Sequence, residues 1–400
     1  MKYIEYIDNS LHINGINLSS LSDVTTPALL FFPTRLSDNV RVLREASPDR
    51  FLSIHYAFKA NYHPLVSKIL LSAGCGVEVM TGEELTLALS LGFSPKNIIF
   101  NGVGRTDAVL RHAVSTEINA IVVDNPCELS RLSKVCEQSG MQARVFFRFY
   151  PFFSSALRLP VFIPDGYKLG IQSFSELNAM LDLVKKSPLL KVTGLSFHVA
   201  VRARTSSLFI EALKSLISPN LLTQFPDADT LSVGGGFDSR FFLERSGNGV
   251  ESFFAPLIDS VRSHPRFRRL VVEPGRFLIN DCFTGLSTAI TSKEAAGETW
   301  HILDIGTNVL IPRPNAHFEV FPLIRKSSKL HTASFADGIC SKNSVIARRL
   351  LLPHLEPGDR VAILNCGAYT INMASTFGYA IPPVLVMENN TESMNTKISI

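Results

Sequence analysis

Cysteine is sparse and scattered: Cys75, Cys127, Cys136, Cys282, Cys340 and Cys366 include no Cys-x-x-Cys pair. That spacing argues against structural zinc. With no secretion signal in view it also argues against a disulfide framework, and most of the six read as small core residues. No apolar run approaches the roughly 18 residues of a spanning helix. The opening Met1-Lys2-Tyr3-Ile4-Glu5-Tyr6-Ile7-Asp8 lacks a basic start followed by an apolar stretch, so a soluble, cytoplasmic protein without a membrane partner is expected. Nor is there a Lys/Arg block. The 39 basic against 35 acidic residues leave a formal charge of +4, and nothing points to nucleic acid. Internal repeats and low-complexity tracts are also absent. What remains is a 400-residue chain, 46% hydrophobic, able to bury a large core and expected to form two domains.

From residue 55 onward short apolar runs alternate with amphipathic stretches. Strands are expected at 55–59, 76–80, 97–101, 120–124, 143–149, 192–199, 230–236 and 270–275, with helical segments such as 82–91 and 128–138 between them. About eight such units in succession predict an α/β protein built on a (β/α)8 TIM-like barrel. A doubly wound open sheet shares the alternation, but chemistry-bearing residues recur at too many strand ends for it. After Arg276 strands appear without long helices, at 299–303, 333–335 and 360–364. Turn signals at Pro312-Arg313-Pro314-Asn315 and Glu356-Pro357-Gly358-Asp359 separate them, so a mostly β C-terminal domain follows. The polar stretch 388–397 is expected to fray.

Four segments end their own apolar runs: Tyr56-Ala57-Phe58-Lys59-Ala60-Asn61, Leu195-Ser196-Phe197-His198-Val199, Gly234-Gly235-Gly236-Phe237-Asp238 and Glu273-Pro274-Gly275-Arg276. A desolvated lysine at a strand end has a lowered pKa and a free amine able to condense with an aldehyde. Alone, it reads equally as a lysine snorkelling to water. A glycine run lets backbone N–H groups approach a phosphate, though on its own it is more often a turn. A carboxylate facing a pyridine nitrogen keeps that nitrogen protonated and the ring electron-withdrawing, although Glu273 could instead pair with Arg276. A strand-end histidine is by default a hydrogen-bonded core residue. Taken together, an amine, a phosphate cradle and a ring-nitrogen partner are what a pyridoxal phosphate site requires.

On these motifs the chain resembles the fold-type III pyridoxal-phosphate decarboxylases, the diaminopimelate and ornithine decarboxylase group, from about Ala28 to about Phe377. The resemblance implies pyridoxal 5'-phosphate as cofactor and a barrel over 28–276. Residues 1–27 would join 277–400 in the β-rich domain of a homodimer with shared active sites. It implies that Lys59 carries the cofactor, that His198 lies against its ring and that Glu78, in Gly76-Val77-Glu78-Val79, stands beside it. Gly234, Gly235, Gly236, Gly275 and Arg276 would hold the phosphate. Cys340, in Asp337-Gly338-Ile339-Cys340-Ser341-Lys342-Asn343-Ser344, would cross the dimer interface to protonate Cα, where the bland alternative is an inert thiol. Tyr369, in Gly367-Ala368-Tyr369, would reach the site from the same side. Lys168-Leu169-Gly170-Ile171 matches a further segment, with packing and chemical roles equally open. Glutamate at 273, where alanine racemase has arginine, implies decarboxylation over racemisation. A non-catalytic regulatory homologue would show damage at Lys59, the glycines or Glu273, and all are intact.

The departures concern substrate. Ser341 and Ser344 stand where the well-known decarboxylases have acidic residues for a distal ammonium, and Lys342 lies between. Arg313 matches the arginine that diaminopimelate decarboxylases use for a distal carboxylate, and His317 replaces a tyrosine. Ala200-Val201 replaces Gly-Ser after His198, with Arg202 and Arg204 nearby. These changes resemble the siderophore branch acting on citryl-linked amino acids. They imply a substrate with an anionic tail bound by Arg313, His317, Cys340, Ser341 and Tyr369, with a diamino acid such as diaminopimelate as the alternative.

Overall fold

The computed structural model describes residues 2–151, 168–217, 219–295, 297–313 and 316–388. Pro314 and Asn315 of the expected turn, and nearly all of the polar tail, lie outside the described residues. The chain divides into two compact units, residues 40–275 and residues 1–39 with 276–400.

In the first unit eight parallel strands close into a barrel. They are Leu52–Ala57, Gly76–Val79, Ile98–Phe100, Ala120–Val123, Ala143–Arg148, Leu190–Ser196, Thr230–Ser232 and Arg269–Val272, and the last pairs with the first. Strands of a parallel barrel are covered on both faces, which is why they are apolar-rich and mostly buried, Ile98–Phe100 and Ala120–Val123 being apolar throughout. Ile99, Ala120, Val122, Phe146 and Val271 pack as one buried cluster. Five of the connecting helices, Pro64–Ser72, Gly82–Ser90, Asp107–Ser115, Pro126–Ser139 and Phe174–Lys186, start at side-chain caps. Thr81 accepts from the Glu84 backbone N–H ahead of Gly82–Ser90, and the Glu84 carboxylate reaches back past the N-cap to accept from Met80 N at 2.8 Å. Asn125 caps Pro126–Ser139, which ends on left-handed Gly140.

Several strands stop earlier than expected. Lys59 falls in a one-turn 3-10 helix, Phe58–Ala60, just beyond its strand. Glu273 follows its strand Arg269–Val272, and the glycine run lies beyond Thr230–Ser232, where Gly234 and Gly236 take positive φ angles (68° and 90°) that a strand does not accommodate.

The second unit is mostly β. Its sheet contains Phe283–Ala295, Glu298–Leu303, Glu319–Pro322, Leu330–Asp337, Val345–Pro353 and Arg360–Leu364, with Ala28–Phe31 and Val384–Val386 attached. The boundary expected at residue 28 needs correction. Ala28–Phe31 is fully buried and pairs with Phe283–Ala295 and Val384–Val386 rather than with the barrel. An N-terminal three-stranded sheet is pinned by Leu11 N to Leu323 O at 2.8 Å and by the Tyr6 hydroxyl to Pro322 O at 2.6 Å. Buried Asp281 accepts from Arg35 Nη2 at 2.7 Å and from Asn39 Nδ2 at 2.8 Å. Among the described residues no helix is long and apolar enough to cross a membrane.

Candidate active site

Polar residues at and just beyond the C-terminal ends of the barrel strands gather into two sets. In the first, Lys59 Nζ donates to both oxygens of Glu78, at 2.9 and 2.7 Å. The Glu78 side chain is 1% exposed, whereas that of Lys59 is 33% exposed. Lys59 is therefore ion-paired, not the isolated desolvated amine expected from its strand-end position.

In the second set, Ser232 Oγ donates to Glu273 Oε1 at 2.7 Å and Asn101 Nδ2 donates to Oε2 at 3.2 Å. Arg148 Nη1 in turn donates to Asn101 Oδ1 at 3.1 Å. Burial, and then the charge of Glu78, push the Glu273 carboxyl above its ordinary pKa, opposed first by the Ser232 hydrogen bond. Ser232, Asn101 and Arg148 were missed by sequence reasoning. Ser232 and Arg148 are the last residues of their barrel strands and Asn101 follows its own, a position that could have drawn attention to them.

His198 stands between the strand Leu190–Ser196 and the glycine loop. Gly235 N donates to its Nδ1 at 3.3 Å, which makes Nδ1 the acceptor and leaves the ring proton on Nε2. Burial, reinforced by Arg148 and Lys59, lowers its pKa to about 3, so the ring is neutral at ordinary pH. The glycines have no room for side chains. A Cβ on Gly235 would lie 2.2 Å from Glu273 O, and one on Gly236 would lie 1.9 Å from Ala200 O. This is a backbone cradle that only glycine can form. Gly275 is buried immediately after Glu273-Pro274. The segment from Lys168 packs instead: Gly170 N donates to Asp124 Oδ2 at 2.9 Å and Ile171 N to Arg148 O at 2.8 Å.

The remaining expected residues lie in the sheet unit. The Arg276 guanidinium stacks over the Tyr369 ring at 4.8 Å, with Tyr369 in left-handed backbone (φ 60°). Arg313 is exposed, and His317 Nε2 lies 3.6 Å from Glu319 Oε1. Cys340 and Ser341 sit on an exposed turn after Leu330–Asp337. That turn is held by Asp337, which accepts from Ile339 N at 2.9 Å and Thr307 Oγ1 at 2.7 Å. Ser344, by contrast, is buried at 7% exposure, and its hydroxyl accepts from Thr307 at 3.3 Å. The expectation that both serines shape a substrate pocket therefore narrows to Ser341.

An amine, a buried carboxylate with both oxygens oriented, a neutral imidazole and a glycine cradle fit pyridoxal phosphate. Residues 35–280 match the family described as pyridoxal-dependent decarboxylase, pyridoxal binding domain, and the chain belongs to that family of pyridoxal-phosphate-dependent amino acid decarboxylases. It is 27% identical over 387 residues to a diaminopimelate decarboxylase of Aquifex aeolicus, covering 94% of this chain and 90% of the relative. It is 25% identical over 386 residues to an L-glutamyl-[BtrI acyl-carrier protein] decarboxylase of Niallia circulans, covering 91% and 89%. The fold is shared with the crystal structure of diaminopimelate decarboxylase from Methanocaldococcus jannaschii (TM-score 0.85, 22% identity, 97% and 93% covered).

Proposed function

We propose that this decarboxylase removes the α-carboxylate of an amino acid whose far end is anionic or acylated rather than a free ammonium. The observation that carries this reading is Ser341, exposed beside Cys340 and followed by exposed Lys342. A distal ammonium seated there would have no carboxylate to receive it, and once the partner subunit of the proposed homodimer covers this turn the unpaired group would cost roughly 1–3 kcal/mol, about five- to a hundredfold in selectivity. The Niallia relative, by its name, acts on a glutamyl group joined to a carrier protein, so conjugated substrates occur in this family. A citryl-linked amino acid of siderophore assembly is the finer candidate.

Bound pyridoxal phosphate supplies the electron sink for the charge left at Cα when carbon dioxide departs. Lys59 would hold the aldehyde carbon, and Glu78, already on its ammonium, would orient it. Glu273 would keep a proton on the ring nitrogen, and Ser232 and Asn101 keep that carboxylate aimed. His198, neutral, would pack on the ring without adding charge. The glycine loop, Gly275 and Arg276 would bind the phosphate. Cys340 would return a proton to Cα from the partner subunit of a homodimer, and Tyr369 would close the same side. Arg313 and His317 would face the anionic tail.

A second reading, diaminopimelate decarboxylase, is favoured by Arg313 and by the names of the Aquifex relative and others. Carbon dioxide release across free ornithine, lysine, diaminopimelate and citryl-linked amino acids separates the two. Turnover of a conjugate that falls in Arg313→Ala, with ornithine and diaminopimelate refused, is expected. Rapid turnover of diaminopimelate with none of any conjugate would refute the substrate reading and leave the decarboxylase in place. The shared site is tested by mixing inactive Lys59→Ala and Cys340→Ala subunits. Activity should partly return, and mixtures that stay dead despite verified subunit exchange would exclude it.

A further inference from the structure

Two arginines converge on one buried carboxylate beside the glycine loop. Asp238 is fully buried, and its Oδ2 accepts from Arg204 Nε at 3.0 Å while its Oδ1 lies 3.5 Å from Arg202 Nε. Both guanidinium carbons stand over the same ring, that of Phe242, at 5.4 Å for Arg202 and 5.2 Å for Arg204. Each arginine meets Asp238 through its Nε edge. The terminal amino groups of both have no hydrogen-bond partner among the described residues. One cation suffices to neutralise one aspartate, so the second leaves net positive charge on this ring.

The backbone fixes the pair against the cradle. Ala203 N donates to Gly236 O at 2.8 Å, and Asp238 N donates to Ala203 O at 3.0 Å. Ala200 O sits where a Cβ of Gly236 would fall. Between these ties Arg202 adopts left-handed backbone, φ 59°, which side chains larger than glycine rarely accept. A long cationic side chain held in that conformation, meeting Asp238 at Nε and with no hydrogen bond from its terminal amino groups among the described residues, has donors left for a further ligand.

We propose that Arg202 and Arg204, set by Asp238, form an oxyanion subsite next to the Gly234–236 loop. Its ligand class is a carboxylate or phosphate oxyanion, bound by the paired Nη groups in the forked geometry arginine favours. Two sources carry that chemistry, the tail of an anionic substrate and the phosphate of the cofactor. The substrate source deepens the function proposed above and rests on it, whereas the subsite itself does not.

The test uses the full-length holoenzyme and the variants Arg202→Gln, Arg204→Gln and the double variant. Citrate and inorganic phosphate are titrated calorimetrically without turnover, and cofactor retention is read from the visible absorbance during prolonged dialysis. Citrate binding weakened tenfold or more with retention unchanged assigns the subsite to a substrate tail. Faster cofactor loss from the variants assigns it to the cofactor phosphate. If the double variant changes neither quantity by more than twofold, the subsite does not exist. Should a glutamine variant fold poorly, the Arg202→Lys and Arg204→Lys pair keeps the charge but loses the fork. A pair that binds citrate and keeps cofactor as the wild type does would equally overturn the proposal. Failure of the substrate panel with citrate binding intact would sink the substrate reading alone.

Discussion

Removing one hydroxyl should move the acid limb of the pH profile. Ser232 Oγ donates to Glu273 Oε1 at 2.7 Å in a fully buried setting, and the same hydroxyl accepts from Gly234 N at 3.3 Å. It is the leading influence that holds the Glu273 carboxyl down against burial and Glu78. A hydrogen bond to a charged group contributes about 1.5–3 kcal/mol, and one pH unit corresponds to about 1.4 kcal/mol. With Asn101 still in place the lower end applies, so Ser232→Ala should displace the acid limb of kcat/KM upward by about one unit. The direction follows from the proposal that Glu273 works as a carboxylate: a harder ionisation would delay activity to higher pH. Stability provides a second readout. A carboxyl whose folded pKa is raised favours the fold below the unfolded value and loses that contribution as pH rises through the folded value. Ser232→Ala should therefore destabilise the protein more at pH 8 than at pH 5 in urea titrations. An activity loss equal at every pH, with the limb unmoved, would refute the reasoning and reduce Ser232 to packing.

Acid should weaken the sheet unit through its histidines. His301 is buried, bonded to Ser292 at 2.7 Å and near His331 and His354, and burial first, then those neighbours, lowers its pKa to about 4. A depressed histidine contributes stability above its unfolded pKa of about 6.5 and loses it as pH falls toward 4, so His301 should account for about 1–2 kcal/mol of loss between pH 7.5 and 5. His301→Gln should flatten the urea midpoint against pH by that amount, and an unchanged slope would exclude the assignment. In the barrel, Arg105 forms two bonds with Glu128, at 2.9 and 2.7 Å, and donates to the Phe100 and Val122 carbonyls. Arg105→Ala should cost about 3–5 kcal/mol by stranding Glu128, whereas Arg105→Met with Glu128→Leu should recover most of it in the denaturation midpoint.

The barrel was legible because its strands are short, apolar-rich and regularly spaced between amphipathic stretches, several of them closed by a chemistry-bearing residue. The precise strand ends were not. Gly234 and Gly236 read as strand by hydropathy, and only their positive φ angles place them in a loop. Ala28–Phe31 carries no local sign of its partners, which lie some 250 and 350 residues away in sequence. Lys59, Glu78, His198 and Glu273 announced themselves through motifs. Ser232, Asn101 and Arg148 did not, since a lone polar residue near a strand end is commonplace until its partner is known. Ser341 and Ser344 looked equivalent three positions apart. The turn pinned by Asp337 and Thr307 exposes one and buries the other, a distinction that backbone geometry alone makes.

The two buried glutamates are not interchangeable, and the difference lies in their partners. Glu78 commits both oxygens to the Lys59 ammonium, so its charge is matched within the protein. The hydrogen bonds to Glu273 come from neutral donors, a hydroxyl and an amide, while the cations Lys59 and then Arg148 lower its pKa only from beyond those bonds, Arg148 through Asn101. A carboxylate buried at 4% exposure and held by neutral groups retains an unspent charge, which is why its pKa rises. Such a group gains most from a cation that arrives with a ligand. A protonated ring nitrogen would be such a cation, and pairing with it would lower the carboxyl's pKa while raising that of the nitrogen. Glu78 could not serve in its place without releasing Lys59, so the arrangement of donors, more than the presence of two acids, supports the proposal that Glu273 faces the ring.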